Sequence, residues 1–137
     1  MLDNIPEIIQ KIILAFLTLG VGYWLGQRKI RKQEFFRDCK EFREAFSDIV
    51  YWLENNVSIN SGEVLAQLQR NSQRYEEAII KFGMNFKPRK KMEFDRVCER
   101  FFNKKNNHNY HGYIDLGNSA GKVVLENINE LLKFAKY

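Results

Sequence analysis

The stretch LTLGVGYWLGQRKIRK, Leu17 to Lys32, changes at Gln27 from an uncharged, glycine-rich sequence to an almost entirely basic one. No charged residue occurs from Ile12 to Gln27, and a helix of these sixteen residues would be about 24 Å long. The hydrocarbon core of a bilayer is about 30 Å thick. Starting the segment at Ile8 lengthens the helix to about twenty residues, which is enough to span the core. Lys11 can be included because its long side chain can carry the ammonium to the headgroups. The sequence therefore predicts a membrane-spanning helix.

Residues typical of membrane interfaces lie at the end of this segment. Amphipathic rings and basic side chains prefer that position, and basic loops stay in the cytoplasm. A cleaved signal peptide would instead have a basic start and a small-residue cleavage site. We expect residues 1–27 to be a single-pass anchor with its N-terminus outside, and residues 28–137 to be cytoplasmic. The predicted interface residues are Tyr23, Trp24, Arg28, Lys29, Arg31 and Lys32.

Small residues recur every fourth position within the anchor, at Thr18, Gly22 and Gly26. Such a ridge allows two membrane helices to approach closely, so it predicts self-association. The alternative for the whole segment is a buried or amphipathic helix of a soluble protein, and the charges of Glu7 and Lys11 keep that alternative open.

Apolar residues continue at steps of three and four beyond the anchor, at Phe35, Cys39, Phe42, Phe46, Ile49 and Leu53. This period predicts that one helix leaves the membrane and enters a soluble bundle. The turn-rich NNVSINSG follows, and Asn60 with Glu63 resembles a helix start with a reciprocal cap. We predict an all-α fold, in which the N-terminal transmembrane helix continues into a small cytosolic bundle of about four helices.

Three further helices are predicted in the rest of the chain. A second helix, on whose apolar face lie Leu65, Leu68, Ser72, Tyr75, Ile79 and Phe82, should run from about Asn60 until Pro88 stops it or opens the next. A third should run to about Asn103, with Met92 and Phe94 on its apolar side. A last helix should be capped by Asn118 or Ser119 and bury Val124, Ile128, Leu131 and Ala135. The segment 103–121 between them has no sustained period and is predicted to be a long loop.

A run of basic residues, KPRKK, falls at the turn before the third helix. Lys87, Arg89, Lys90 and Lys91 could hold the phosphate of an anionic, nucleotide-like small molecule, because cations near a helix start add to its exposed amide donors. The alternatives are a solvated turn or a patch attracted to anionic lipid. Lys104 and Lys105 should lie at the other end of the same helix, so a pocket shared by both clusters is not expected.

The long loop carries His108 and His111, with Tyr110 and Tyr113 close by. The histidines are candidate ligand-binding residues together with the basic run, and the plain alternative is a polar loop with two partly packed tyrosines. No metal site is expected, because tetrahedral zinc needs further ligands and only Asp115 is near.

The sequence gives little support to several classes of function. It contains no phosphate-binding glycine loop, nucleophile elbow or HExxH pair, so no enzyme activity and no cofactor are expected. Nucleic-acid binding is disfavoured because core packing accounts for most of the aromatic residues. Residues 28–137 hold 21 basic and 15 acidic side chains, an excess that suits an anionic neighbour. Cys39 and Cys98 are predicted to be buried thiols.

The layout resembles that of small uncharacterised bacterial single-pass membrane proteins with a helical cytosolic domain. The matching patterns are WLGQRKIRKQEFF at the membrane exit, KEFREAF, YEEAIIKF, FDRVCERFF and the ending INELLKFAK. The resemblance implies a bacterial inner-membrane location and no particular activity. Together with the residue patterns it favours an oligomeric interaction or adaptor protein with an unidentified protein partner. The alternative is a sensor or effector in which the basic run and the histidine loop bind the anionic small molecule.

Overall fold

The computed structural model describes residues 6–56 and 58–136, and this part of the chain is helical. Five α-helices are present: α1 Glu7–Asn55, α2 Ser61–Arg70, α3 Ser72–Gly83, α4 Pro88–Phe102 and α5 Ala120–Leu132. Two 3₁₀ helices, His111–Ser119 and Lys133–Ala135, flank α5. The described residues contain no strand, only one isolated bridge between Lys105 and His108. The all-α prediction is confirmed.

The predicted continuous first helix is observed, since α1 is 49 residues long. The described residues divide into two compact units, one up to Phe36 and one from Arg37 onward. In the first unit α1 is long and apolar enough to cross a membrane, by length and composition, and none of its most apolar window is buried. The second unit contains the core.

An aromatic cluster fills that core. Phe42 of α1 stacks on Phe82 of α3, with 4.4 Å between ring centroids and 10° between ring planes. One turn further along α1, Phe46 stacks on Tyr75 at 5.1 Å. The edge of Phe101 from α4 meets the Phe46 ring at 5.6 Å. These pairs place α3 antiparallel to α1, because positions that ascend in α1 meet positions that descend in α3.

The last helix closes the other side of this cluster. Its predicted inner face is confirmed, since all four predicted residues are fully buried: Val124, Ile128, Leu131 and Ala135. Phe134, in the 3₁₀ helix that follows α5, lies 5.3 Å from Phe94 of α4. Arg43 of α1 donates a hydrogen bond from Nε to the carbonyl oxygen of Ala135 at 2.8 Å. The C-terminal end of the chain is therefore held against α1.

Several predicted helix ends are observed. The side-chain oxygen of Asn60 accepts the backbone N–H of Glu63 at 3.0 Å, which is one of the two hydrogen bonds of the expected reciprocal cap. Pro88 opens α4 at a position where its missing N–H costs nothing. Asn103 ends α4 in the left-handed conformation, with φ 39°.

Other predictions about the helices were wrong. The predicted second helix is two helices, α2 and α3, which are separated at Asn71 (φ −115°, ψ 20°). The bundle consequently has one more helix than the predicted four. Met92, predicted on the apolar face of α4, is 60% exposed. Ser119 stands at the predicted start of α5, but its hydroxyl donates to the carbonyl oxygen of Leu116 and does not cap the helix.

The predicted long loop is also largely ordered. Residues 105–108 form a tight turn closed by two backbone hydrogen bonds, and the 3₁₀ helix follows. The chain departs from helical geometry at Gly117, whose φ of 56° favours glycine. Tyr110 and Tyr113, predicted to be partly packed, are fully buried. Their burial holds the segment against α4 and α5.

Candidate functional site

The exposed apolar part of α1 is the first candidate site. Tyr23 and Trp24 are 72% and 58% exposed, and the guanidinium carbon of Arg28 lies 5.5 Å from the centre of the Trp24 ring. A cation above an indole face is attracted by the quadrupole of the ring. Lys29, Arg31 and Lys32 are exposed as well. The aromatic and basic residues expected at an interface are therefore neighbours on this helix.

The predicted association ridge lies on the same part of α1. The hydroxyl of Thr18 donates to the carbonyl oxygen of Leu14 at 2.9 Å, within the helix. No atom lies within 4 Å of the place where a side chain would begin at Gly22 or Gly26. The three small residues are thus exposed along this helix, and their role in self-association stays a prediction.

The basic turn, which we define as residues 84–91, is the second candidate site. Lys87, Arg89 and Lys90 are exposed and form no ion pair with any residue in the described ranges. The ammonium of Lys90 lies 5.3 Å from the centre of the Phe86 ring. Lys91 differs from these three, because it pairs with Asp95 one turn further along α4. Three of the four predicted ligand-binding cations are therefore available to an anion.

The basic turn lies beside the first residues of α1 in the second unit. Lys81, three residues before the turn, donates to Glu41 at 2.7 Å and holds the pKa of that carboxyl below its ordinary value. Burial raises the pKa of Cys39, and the charges of Arg43 and Lys90 oppose that rise. These contacts place the turn at the end of the unit where the chain enters from residue 36.

The histidine loop is the third candidate site. The rings of His108 and His111 stack with centroids 4.9 Å apart, and Nε2 of His111 is 3.4 Å from the side-chain nitrogen of Gln69. Asp115, the carboxylate nearest in sequence, already binds Lys105 at 2.7 Å. Nowhere in residues 6–56 and 58–136 do three His, Cys, Asp or Glu side chains gather as metal ligands would.

The basic turn and the histidine loop lie at opposite ends of α4. This helix has 15 residues, so its ends are about 22 Å apart. The histidine loop contacts the starting end of α3, since Asn109 donates to Glu76 at 2.9 Å. The basic turn follows the other end of α3. One small molecule cannot contact both clusters, so the two halves of the predicted ligand site are not brought together.

The buried titratable groups form part of the core. Burial raises the pKa of Cys98 to about 12 and that of Tyr110 to about 12. Burial also raises the pKa of Tyr113, whose hydroxyl donates to the carbonyl oxygen of Phe101 and accepts from the side-chain amide of Asn127 at 3.0 Å. Both cysteines are buried thiols, as predicted. These groups stay neutral at physiological pH.

Two of the hollows between α1 and its neighbours bear on the candidate sites. The first, between α1 and α3, encloses about 200 Å³, and Lys81 and Glu41 are among its lining residues. Small-molecule sites usually enclose about 300–1,000 Å³. The second is a hollow of about 430 Å³, which we call the aromatic hollow; it is lined by Asp48, Ile49, Tyr51, Trp52, Gln67, Arg70, Asn71 and Tyr75.

Sequence reasoning did not identify the aromatic hollow as a site. Tyr51 is 72% exposed and Trp52 is partly buried. The available signal was that Tyr51 and Trp52 are adjacent large aromatic residues, because two adjacent residues cannot both lie on the buried face of one helix. The opposite wall, which includes Arg70, could not be assigned without the break between α2 and α3.

The chain matches no known family model, no curated protein and no solved structure.

Proposed function

We propose that this chain is a membrane-anchored interaction protein, an adaptor, of the bacterial inner membrane. In this proposal residues 1–27 are the membrane anchor, with the N-terminus outside. Residues 28–137 then work in the cytoplasm as an oligomeric helical module. The observation that carries the proposal is the exposed apolar part of α1, which ends in neighbouring aromatic and basic residues.

The exposure of this segment argues against the soluble alternative in which the segment is buried within its own chain. Phe16, Leu19 and Tyr23 are each at least 70% exposed, and the surrounding apolar side chains are exposed as well. Soluble monomers rarely present contiguous apolar patches larger than a few hundred Å². Placing the segment in hydrocarbon removes that surface from water, and the helix satisfies its own backbone hydrogen bonds there. Glu7 and Lys11, which kept the soluble alternative open, form an ion pair one turn apart at 3.6 Å.

The aromatic hollow supports the interaction half of the proposal. Tyr, Trp and Arg are enriched at protein interfaces and supply most of their binding energy. Tyr51, Trp52 and Arg70 bring these three types together on one surface. Confinement of the domain to a membrane raises its local concentration, so even a weak contact at this surface would be occupied.

The sensor alternative receives less support from the geometry. It requires the basic run and the histidine loop to bind one anionic small molecule, and the length of α4 separates them.

Alkaline carbonate extraction of cell membranes tests the anchor. We expect the wild-type chain to stay in the membrane pellet. Replacing Leu17 and Val21 by lysine places two charges near the centre of the segment, at about 2.5–3.5 kcal/mol each, and should release the protein. The matched variant with alanine at both positions should stay in the pellet. Release of the wild-type chain would refute the anchor.

Native mass spectrometry of the full chain, released gently from detergent micelles, tests the oligomer. We expect a fixed number of subunits. Gly22→Leu with Gly26→Leu should reduce that number, because leucine prevents close approach of the helices. Gly20→Leu is the control, since position 20 lies off the ridge and has equally open surroundings. An unchanged number in the double variant would remove the ridge from the proposal.

Site-specific photo-crosslinking in cells tests the aromatic hollow. A photoreactive side chain at Tyr51 should give one discrete adduct with a partner protein. The same group at Lys122, an exposed position of α5, should not give that adduct. Equal adducts at both positions would show that the hollow has no special role.

A further inference from the structure

The end of the second unit that α1 enters carries an unusual concentration of positive charge. No acidic residue occurs between Glu77 and Glu93, a stretch that contains five basic side chains. Lys81 and Lys91 at its edges are paired with Glu41 and Asp95. The three basic residues between them, in the basic turn, have no acidic partner in the described part of the chain. Their charge is directed to the solvent.

Exposed apolar side chains lie close to these cations in the sequence. Met84, the first residue of the basic turn, is 78% exposed. Ile80, one helical turn earlier and therefore on the same side of α3, is 63% exposed. A surface that combines long cations with exposed aliphatic groups is typical of proteins that lie against anionic membranes. The cations reach lipid phosphates while the apolar groups enter the headgroup region.

The basic turn lies at the end of the second unit where α1 enters it, beyond Phe36. The turn lies beside the first residues of α1 in this unit, as the stacking of Phe42 on Phe82 and the pairing of Lys81 with Glu41 require. The histidine loop is at the other end of α4. The end of the domain reached first from the proposed anchor is therefore also its basic end.

We propose that the basic turn binds the anionic lipid headgroups of the inner leaflet, as a second contact between this protein and the membrane. The proposal rests on the proposed anchor for its setting, and it commits to lipid as the partner. Each Lys or Arg near an anionic surface contributes about fivefold in affinity, so Lys87, Arg89 and Lys90 together should contribute about a hundredfold. Because the domain is tethered, this modest affinity is enough to hold it at the surface.

The test compares binding of full chains that share the same disabled anchor, so that residual binding by the anchor segment contributes equally to each. The chain carrying Leu17→Lys and Val21→Lys is added to vesicles of phosphatidylcholine with one third phosphatidylglycerol, and binding is followed by flotation. We expect replacement of Lys87, Arg89 and Lys90 by glutamine to weaken binding about a hundredfold. Binding should also fall as salt rises. Vesicles of phosphatidylcholine alone should show no difference between the two chains.

A matched control removes the same number of charges elsewhere. Arg100, Lys104 and Lys122 are exposed and have no ion pair in the described residues. Their replacement by glutamine should change affinity less than threefold. All six side chains are exposed, so both triple variants should keep the circular dichroism of the parent chain. Equal losses in the two variants would overturn the proposal, because the effect would then be one of net charge.

Free phosphate compounds must be distinguished from lipid. Calorimetric titration with ATP and with inorganic phosphate, in the absence of vesicles, should give no saturable binding. Saturable ATP binding that the glutamine variant of the basic turn loses would assign the turn to a soluble ligand and overturn the lipid proposal. Carbonate extraction of the wild-type chain reports on the anchor separately, so failure of one proposal is not mistaken for failure of the other.

Discussion

Replacement of Phe42 by alanine is the most direct test of the domain architecture. The side chain is 2% exposed, stacks on Phe82 at 4.4 Å, and meets Phe46 and Phe94 at 5.2 and 6.0 Å. Removing a buried phenylalanine ring costs about 3–5 kcal/mol, which includes the cavity left behind. A domain of this size is stabilised by about 5–15 kcal/mol in total. The variant should therefore fold but lose a large part of its stability.

Thermal unfolding of the full chain in detergent micelles measures this loss. A change of 1 kcal/mol shifts Tm by about 4–8 °C in a domain of 60–100 residues, so a loss of about 3–5 kcal/mol should lower Tm by roughly 12–40 °C. The control is Phe36→Ala, which removes the same atoms from a side chain on the same helix that is 47% exposed. Its cost should be about 1 kcal/mol or less. Melting of the two variants within a few degrees of each other would show that α1 and α3 do not pack through Phe42.

Three other substitutions or labels test separate parts of the fold. Asn60→Ala should lower the free energy of unfolding by about 1 kcal/mol through loss of the α2 cap, measured by denaturant titration, and Asn60→Ser should restore most of it. Gly112→Ala should lower the free energy of unfolding, because the Cβ of the alanine would lie 2.2 Å from the side-chain oxygen of Asn103. Adding Asn103→Gly in the same chain should recover part of that loss. If the losses of the two single variants simply added in the double variant, this contact would be contradicted. At pH 8, a thiol with a pKa of about 12 is ionised about a thousandfold less than a thiol with a pKa of 9.0. Cys98 should therefore react with iodoacetamide at least a thousandfold more slowly in the folded chain than in denaturant, as followed by peptide mass spectrometry. Equal rates in the two states would show that Cys98 is not buried.

The sequence predicted the elements that are marked by the spacing of their own apolar residues or by local capping residues. The inner face of α1 beyond the anchor was predictable because its three- and four-residue steps persist without interruption. The starts of α2 and α4 were predictable because Asn60 and Pro88 act locally on the backbone. Such signals depend on neighbouring residues and need no knowledge of the tertiary structure.

The break at Asn71 escaped this reasoning for a physical reason. Leu68 and Tyr75 are seven residues apart, which is the spacing of one uninterrupted helical face, so the apolar rhythm passes through the break unchanged. The only local signal is the Asn71–Ser72 pair, whose short polar side chains favour helix starts and turns. Periodicity and local chemistry disagreed there, and local chemistry was correct.

The segment between α4 and α5 could not be predicted because distant residues determine it. The buried hydroxyl of Tyr113 is satisfied by Phe101 and Asn127, neither of which is near it in sequence. One signal was available: Asn103, Asn106 and Asn107 all adopt positive φ, and asparagine accepts that conformation more readily than most residues. The asparagine-rich sequence therefore indicated a tight turn in place of a loose loop.

The location of the candidate site required the three-dimensional arrangement. The sequence identified the basic residues of the turn, but the end of the domain on which they lie follows from the antiparallel packing of α3 on α1. The aromatic hollow depends on the same packing and on the break at Asn71. The sequence thus identified candidate residues, but it did not show which of them lie together in the fold.

The uninterrupted course of α1 also has a consequence for the order in which the protein forms. Starting a helix is the costly step, because several residues must be fixed before the first hydrogen bond forms, whereas each further residue extends it at little cost. In the proposed anchor, the ribosome releases the membrane segment first, and hydrocarbon enforces its helical state. The residues that follow can then add to an existing helix. Under the proposed arrangement, the bilayer would supply the nucleus on which the second unit begins to fold.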